Sequence, residues 1–212
     1  MKSIWMKKAI FSGTRLILCN LLLFVMLVSL PACAVGAGTS DAAAESQTGV
    51  HVDVTFDYKR MPTHASNQLA IWVEDQDGEM VKTILVTGFT ASRRGYRNRE
   101  MTLSGWVNSA DPEALSDEQI DAVSSATPTA GGLTYSWDLT DQNGNRVPDG
   151  VYTIYLEGTL YWESSVLFKA VIDTADIQTG NLPVETVRSE PDNTENEDMI
   201  ENVQVFVKRE EQ

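Results

Sequence analysis

Residues 121–157 read DAVSSATPTAGGLTYSWDLTDQNGNRVPDGVYTIYLE, and the second half of this stretch carries the strongest fold signal in the chain. Residues 133–139 and 151–157 are short runs rich in β-branched and aromatic side chains, which suit a pleated, half-buried surface. Between them, Asn143-Gly144 and Pro148-Asp149-Gly150 supply residues that tolerate positive φ or pre-set φ for a turn. The pattern predicts a β-hairpin with a long connecting loop. Along residues 151–156, Tyr152, Ile154 and Leu156 point to one face and Val151, Thr153 and Tyr155 to the other. Neither face is polar, so this run is expected in the middle of a sheet.

Outward from this stretch the period-two signal returns. Residues 51–58 place Val52, Val54, Phe56 and Tyr58 on one face of a half-buried strand. Residues 69–74 and 80–87 predict a second hairpin across Asp75-Gln76-Asp77-Gly78, with Leu69, Ile71 and Val73 facing one way. Residues 166–172 form another strand with Tyr161-Trp162 at the turn before it, and Val203, Val205 and Val207 alternate in a last one. Residues 174–200 are polar, acidic and broken by proline, and read as an irregular loop. The best helix signal has Asp111 as N-cap and Pro112 at the first helical position, with a second start at the capping box Ser116-x-x-Gln119. That helix is short and ends by Ser124, and residues 121–128 follow as a polar turn in which Pro128 disfavours α conformation at Thr127. Strands that are not separated by successive helices predict an all-β domain over residues 49–212, an Ig-like antiparallel β-sandwich with one short helix.

The N-terminus is of another kind. Lys2, Lys7, Lys8 and Arg15 precede the apolar run 16–30, which is too short for a comfortable membrane span and is followed at once by small residues. Residues 1–33 are therefore read as an export signal. Leu30-Pro31-Ala32-Cys33 resembles the lipobox of bacterial lipoproteins, which implies acylation of Cys33 as the new N-terminus. Ala32-Cys33-Ala34 also fits an ordinary small-x-small cleavage site. Cys19 lies inside the signal, so past Cys33 no cysteine is left for an internal disulfide. Residues 34–48 are small and polar, the composition of a flexible linker.

The formal net charge is -14. Removing the signal leaves 12 basic against 30 acidic residues, a net charge of about -18. Such a surface repels nucleic acid and anionic head groups, so neither is expected as a partner, and the mature chain is expected to stay soluble or to be tethered to a membrane by a lipid on Cys33. Against that sign, Arg93, Arg94, Arg97 and Arg99 fall within seven residues. They read either as charge balance against neighbouring carboxylates or as an anion cradle, since guanidinium forks suit phosphate and carboxylate. Two histidines, His51 and His64, without a partner motif do not make a catalytic triad or a zinc site. Asp141, Asn143 and Asn145 have the spacing of a calcium loop, but Arg146 and Tyr152 stand where an EF-hand needs glycine and glutamate. A turn is the better account.

The run from Trp137 to Gly158 resembles the hairpin of the Ig-like domain in flagellar hook-capping proteins. Together with NQLAIWVEDQDGEMVKTILV (67–86) and DAVSSATP (121–128), it resembles a family of predicted periplasmic proteins catalogued as a domain of unknown function. Members of that family are often encoded beside flavin transferases and PepSY-type membrane proteins. The resemblance thus implies a redox neighbourhood, with another exported or membrane redox protein as partner. Residues 121–127 are also similar to the acceptor motif of flavin transferases, an aspartate followed by Ser/Thr-Gly-Ala-Thr whose final threonine carries FMN. By that similarity Thr127 would hold the cofactor and Asp121 would help position the loop, although Ser125 stands in the glycine place. The residues by themselves also read as a polar turn with local hydroxyl bonds. Two functions follow: a binding or accessory module that is not an enzyme and holds no cofactor, or a redox carrier with covalent FMN.

Overall fold

Alternation at residues 51–58 produces β1 (Val50–Tyr58), whose inward residues Val52, Val54, Phe56 and Tyr58 are all buried. The computed structural model describes residues 49–210, with the side chains of Arg93 and Arg94 outside that description. The expected export signal at residues 1–33, with Cys33, and the expected linker at residues 34–48 lie outside the described residues.

The chain continues through β2 (Gln68–Asp75), β3 (Met80–Thr87), β4 (Ser124–Ser125), β5 (Gly131–Trp137) and β6 (Val151–Tyr161). It ends with β7 (Ser164–Asp173), β8 (Gly180–Leu182), β9 (Glu185–Arg188) and β10 (Ile200–Arg209). One sheet has the order β5-β1-β10-β8 and the other β4-β3-β2-β6-β7-β9. All pairings are antiparallel except that of β3 with β4. The two sheets bury one core, in which Leu69, Ile71, Val73, Tyr152, Ile154 and Leu156 meet Val52, Val54, Trp137, Val205 and Val207. The fold is a β-sandwich, as the alternation predicts.

The second expected hairpin is present, since β2 and β3 pair across Asp75–Glu79. The first is not a hairpin. β5 pairs with β1 in one sheet, whereas β6 lies between β2 and β7 in the other. The turn chemistry acts inside the loop instead: Thr140 bridges Arg146, and Val147 N–H donates to the Leu139 carbonyl at 3.0 Å. The Asp141 carboxylate accepts from the N–H groups of Asn143 and Asn145, which accounts for the calcium-like spacing as a turn. Leu139 at φ 56° turns the chain out of β5, and the strands on either side face each other across the core. The Trp137 and Tyr152 rings are 5.5 Å apart there. Residue alternation reports which side chains point inward, and both runs do; it does not report which strand lies beside which.

Two further expectations need correction. Among the described residues the chain has four short α-helices, α1 (Gly88–Ala91), α2 (Arg93–Asn98), α3 (Ser104–Ala110) and α4 (Asp117–Val123), and one 3-10 turn at Glu197–Met199. Asp111 is the C-cap of α3 and begins no helix, while Ser116 caps α4 in a complete capping box with Gln119. The reciprocal bonds of Ser116 and Gln119 satisfy two terminal N–H groups, more than a lone Asp-Pro start offers. The span 174–200 is also not all loop, because β8 and β9 each extend one sheet edge.

Candidate functional site

The residues between β3 and β4 form a helical insert on the outer face of the six-stranded sheet. The sequence builds it by making that face apolar as well: Ala70, Trp72 and Val86 from the strands pack with Ala91, Leu103 and Trp106 from the insert. Trp72 stacks on Tyr155 with ring centroids 4.9 Å apart. Polar groups on the strands fasten the insert down. Trp106 Nε1 donates to Thr83 Oγ1 at 3.1 Å, and Leu103 N–H donates to Thr159 Oγ1 at 3.2 Å.

Glu157, on β6, is 3% exposed and receives the N–H groups of Gly105 and Trp106 at 3.2 and 3.0 Å. It therefore caps the start of α3 from the sheet below. The approach is close: a Cβ at Gly105 would lie 3.0 Å from Glu157 Oε2 and 3.2 Å from the Trp72 ring, so these neighbours would have to shift by a few tenths of an ångström. Burial pushes the Glu157 carboxyl above its ordinary 4.5, and the two N–H donors oppose that without cancelling it. Folded protein therefore holds this proton more tightly than unfolded chain does. The associated stability is complete below pH 4.5 and is lost as pH rises through the folded value. Glu157→Gln is expected to flatten that fall in urea titrations run at a series of pH values; a variant that tracks wild type throughout would exclude Glu157 as its source.

Within the insert, Asp121 borders a recess of about 190 Å³ whose wall includes Ser92, Tyr96 and Ile120, with Ser124 of β4 at its edge. The Tyr96 phenol oxygen is buried without a hydrogen-bond partner. Asp121 is exposed on α4, and Thr127 is half-buried two residues beyond β4, which pairs in parallel with Val86 and Thr87 at the sheet edge. Ser125 is exposed and its φ is not in the left-handed region, so this backbone does not require glycine there.

The arginines of the 93–99 cluster lie on one helix and its C-cap, and the two described side chains have separate partners. Arg97 Nε pairs with Glu113 at 3.0 Å. Arg99 donates from Nη1 to the His64 carbonyl at 3.0 Å, and its guanidinium lies 5.5 Å from the Phe89 ring and 5.1 Å from the Trp162 ring. Phe89, Met101 and Trp162 are 46%, 47% and 58% exposed. Sequence reasoning places Trp162 at a turn and overlooks Phe89, Met101 and Glu157. A glutamate inside an apolar strand run is the available signal for Glu157, because a charge in a central strand is buried with a partner. No comparable signal marks Phe89 and Met101, which come together with Trp162 only in three dimensions.

Fold and site define an all-β sandwich domain with a helical insert on one sheet and an aromatic corner at its edge. Residues 42–189 match the family model described as "Predicted periplasmic protein (DUF2271)", and the chain belongs to that family. The match stops short of β10, although β10 lies between β1 and β8 in the smaller sheet. The family description supports a location outside the cytoplasm. No curated protein and no solved structure matches this chain.

Proposed function

We propose that the chain is an exported binding or accessory module of the cell envelope, held at a membrane by lipid on Cys33. The observation that carries this reading is the aromatic corner, where three large apolar side chains stand exposed around one arginine. Contiguous exposed apolar surface on a soluble domain marks an interaction site. The test is an intact-mass measurement on protein isolated from its native host. It should show Cys33 as the first residue, with an acyl mass increment, and Cys33→Ser should move the protein into the soluble fraction. A mature N-terminus at Val35, or fractionation unchanged by Cys33→Ser, removes the anchor from the proposal.

A second reading is favoured by the position of Asp121 and Ser124 at the 190 Å³ recess, with Ser125 and Ala126 exposed just before Thr127. In it the Thr127 hydroxyl carries FMN through a phosphoester, and the partner that attaches the flavin is a separate exported transferase. The same mass spectrum separates the two readings. An added FMN mass that disappears in Thr127→Ala establishes the redox carrier; its absence, under conditions that label a known acceptor, leaves the accessory module.

A further inference from the structure

We infer that the corner formed by Phe89, Arg99, Met101 and Trp162 docks a basic protein partner, which places an apolar side chain in the recess beside Arg99 and its own Lys or Arg residues against Glu100 and Glu163. The inference rests on the binding-module reading and gives that module its surface and the chemistry of its partner. Six large apolar side chains are exposed among the described residues, and three of them, Phe89, Met101 and Trp162, gather around Arg99. Aromatic residues, Met and Arg are the residue types enriched at the centres of protein interfaces. The recess itself is about 160 Å³ and is bordered by Arg99, Met101 and Trp162, with Glu100 and Glu163 at its rim.

Two features distinguish this corner from scattered surface residues. Trp162 sits at φ 39° at the tip between β6 and β7. Tyr161 pairs with Ser164, so Trp162 is the first central residue of a two-residue hairpin turn, whose positive φ projects the ring from the tip. Arg99 is also held in place in the free protein, by the His64 carbonyl and by the two rings on which it lies. Little further side-chain ordering is then required on association.

Charge selects the occupant. The chain carries a formal net charge of -14, and Glu100 and Glu163 are both exposed at the recess. A second copy carries the same net negative charge and is disfavoured at long range, whereas a basic protein is steered toward the chain. There it meets the two rim carboxylates, with Arg97 beside them already paired with Glu113 and Arg99 engaged by the His64 carbonyl.

Trp162 is exposed while Trp72, Trp106 and Trp137 are fully buried, so collisional quenching of tryptophan fluorescence in the mature protein reads this corner. The probes are three fluorescein-labelled nonapeptides: a central Leu flanked by Lys, the same with Ser in place of Leu, and the Leu peptide flanked by Glu. The Lys-flanked Leu peptide should bind saturably, shield Trp162 from acrylamide and lose affinity as salt rises. The Ser peptide should bind more than about ten-fold more weakly, and the Glu-flanked peptide should not bind. By anisotropy, Trp162→Ala and Phe89→Ser should each weaken binding by more than about ten-fold, the weight of a central interface anchor. Val171→Ser, at an exposed valine on β7, should not. Equal binding to wild type and Trp162→Ala, no saturable binding, or preference for the Glu-flanked peptide would overturn the inference. So would a concentration-dependent dimer in sedimentation that Trp162→Ala abolishes, because the occupant would then be a second copy. Peptide binding that survives Trp162→Ala leaves the binding-module reading standing while removing this surface from it.

Discussion

Trp137→Ala is expected to lower the stability of the domain by about 3 to 5 kcal/mol, the range for emptying a large aromatic site in a packed core. Trp137 is fully buried at the end of β5 and packs at 5.5 Å against Tyr152 of the opposite sheet. Its indole N–H also donates to the Thr140 carbonyl at 2.9 Å, which ties the loop after β5 to the core. Alanine removes both the ring contact between the sheets and the tie to the loop, and leaves a cavity that the antiparallel frame of β1 and β6 cannot collapse around. Trp137→Phe keeps most of the contact and loses the N–H, so it should cost clearly less. Urea unfolding of the three proteins at one pH provides the check. A cost below about 1 kcal/mol for alanine, within the ordinary range of surface changes and mild core changes, would contradict a core position for Trp137.

The second large effect is expected at Gly95. A Cβ added there would stand 1.8 Å from the Phe89 carbonyl oxygen and 2.6 Å from the Thr90 Cα. Both are backbone atoms, so no rotamer change relieves the overlap and α2 must move away from α1. Overpacking typically costs about 1 to 3 kcal/mol, and Gly95→Ala is expected at or above the top of that range. The damage should be local. Ala91 and Tyr96 belong to the insert and are buried by it, whereas the sandwich core is assembled from strands outside it. Hydrogen exchange should therefore quicken across residues 88–123 while β1, β6 and β10 keep their protection. Gly132→Ala is the control, since its nearest neighbour would be the Asp57 side chain at 3.7 Å, an ordinary contact. Uniform loss of protection in Gly95→Ala would mean that insert and sandwich unfold as one unit. The same substitution also bears on the aromatic corner, because Phe89 is carried on α1 and Arg99 is the C-cap of α2.

The sequence by itself determined the class of the domain and which side chains face its core. Period-two alternation is a direct record of which face of a strand is buried, so it alone assigns Val52, Leu69, Ile154 and Val205 inward, where all four are buried. The central position of residues 151–156 was also legible, because the run has no polar face, and β6 lies between β2 and β7 with Val151 exposed at its start. The cap at Ser116 could also be read, being a bond between residues three apart, although the Asp111 start was an equally local pattern and the chain did not use it. Strand partnership was decided only by the tertiary structure. β5 and β6 are joined by a loop rich in turn residues, yet they lie in different sheets, with Trp137 and Tyr152 meeting across the core. The helical insert required the outer face of β2 and β3 to be apolar and Glu157 to reach up from β6, contacts spanning about 52 and 51 residues of chain. The corner of Phe89, Arg99, Met101 and Trp162 is of the same kind: residues from α1, the cap of α2, the segment before α3 and a hairpin tip have no common sequence period, and only the packing of insert against sheet brings them together.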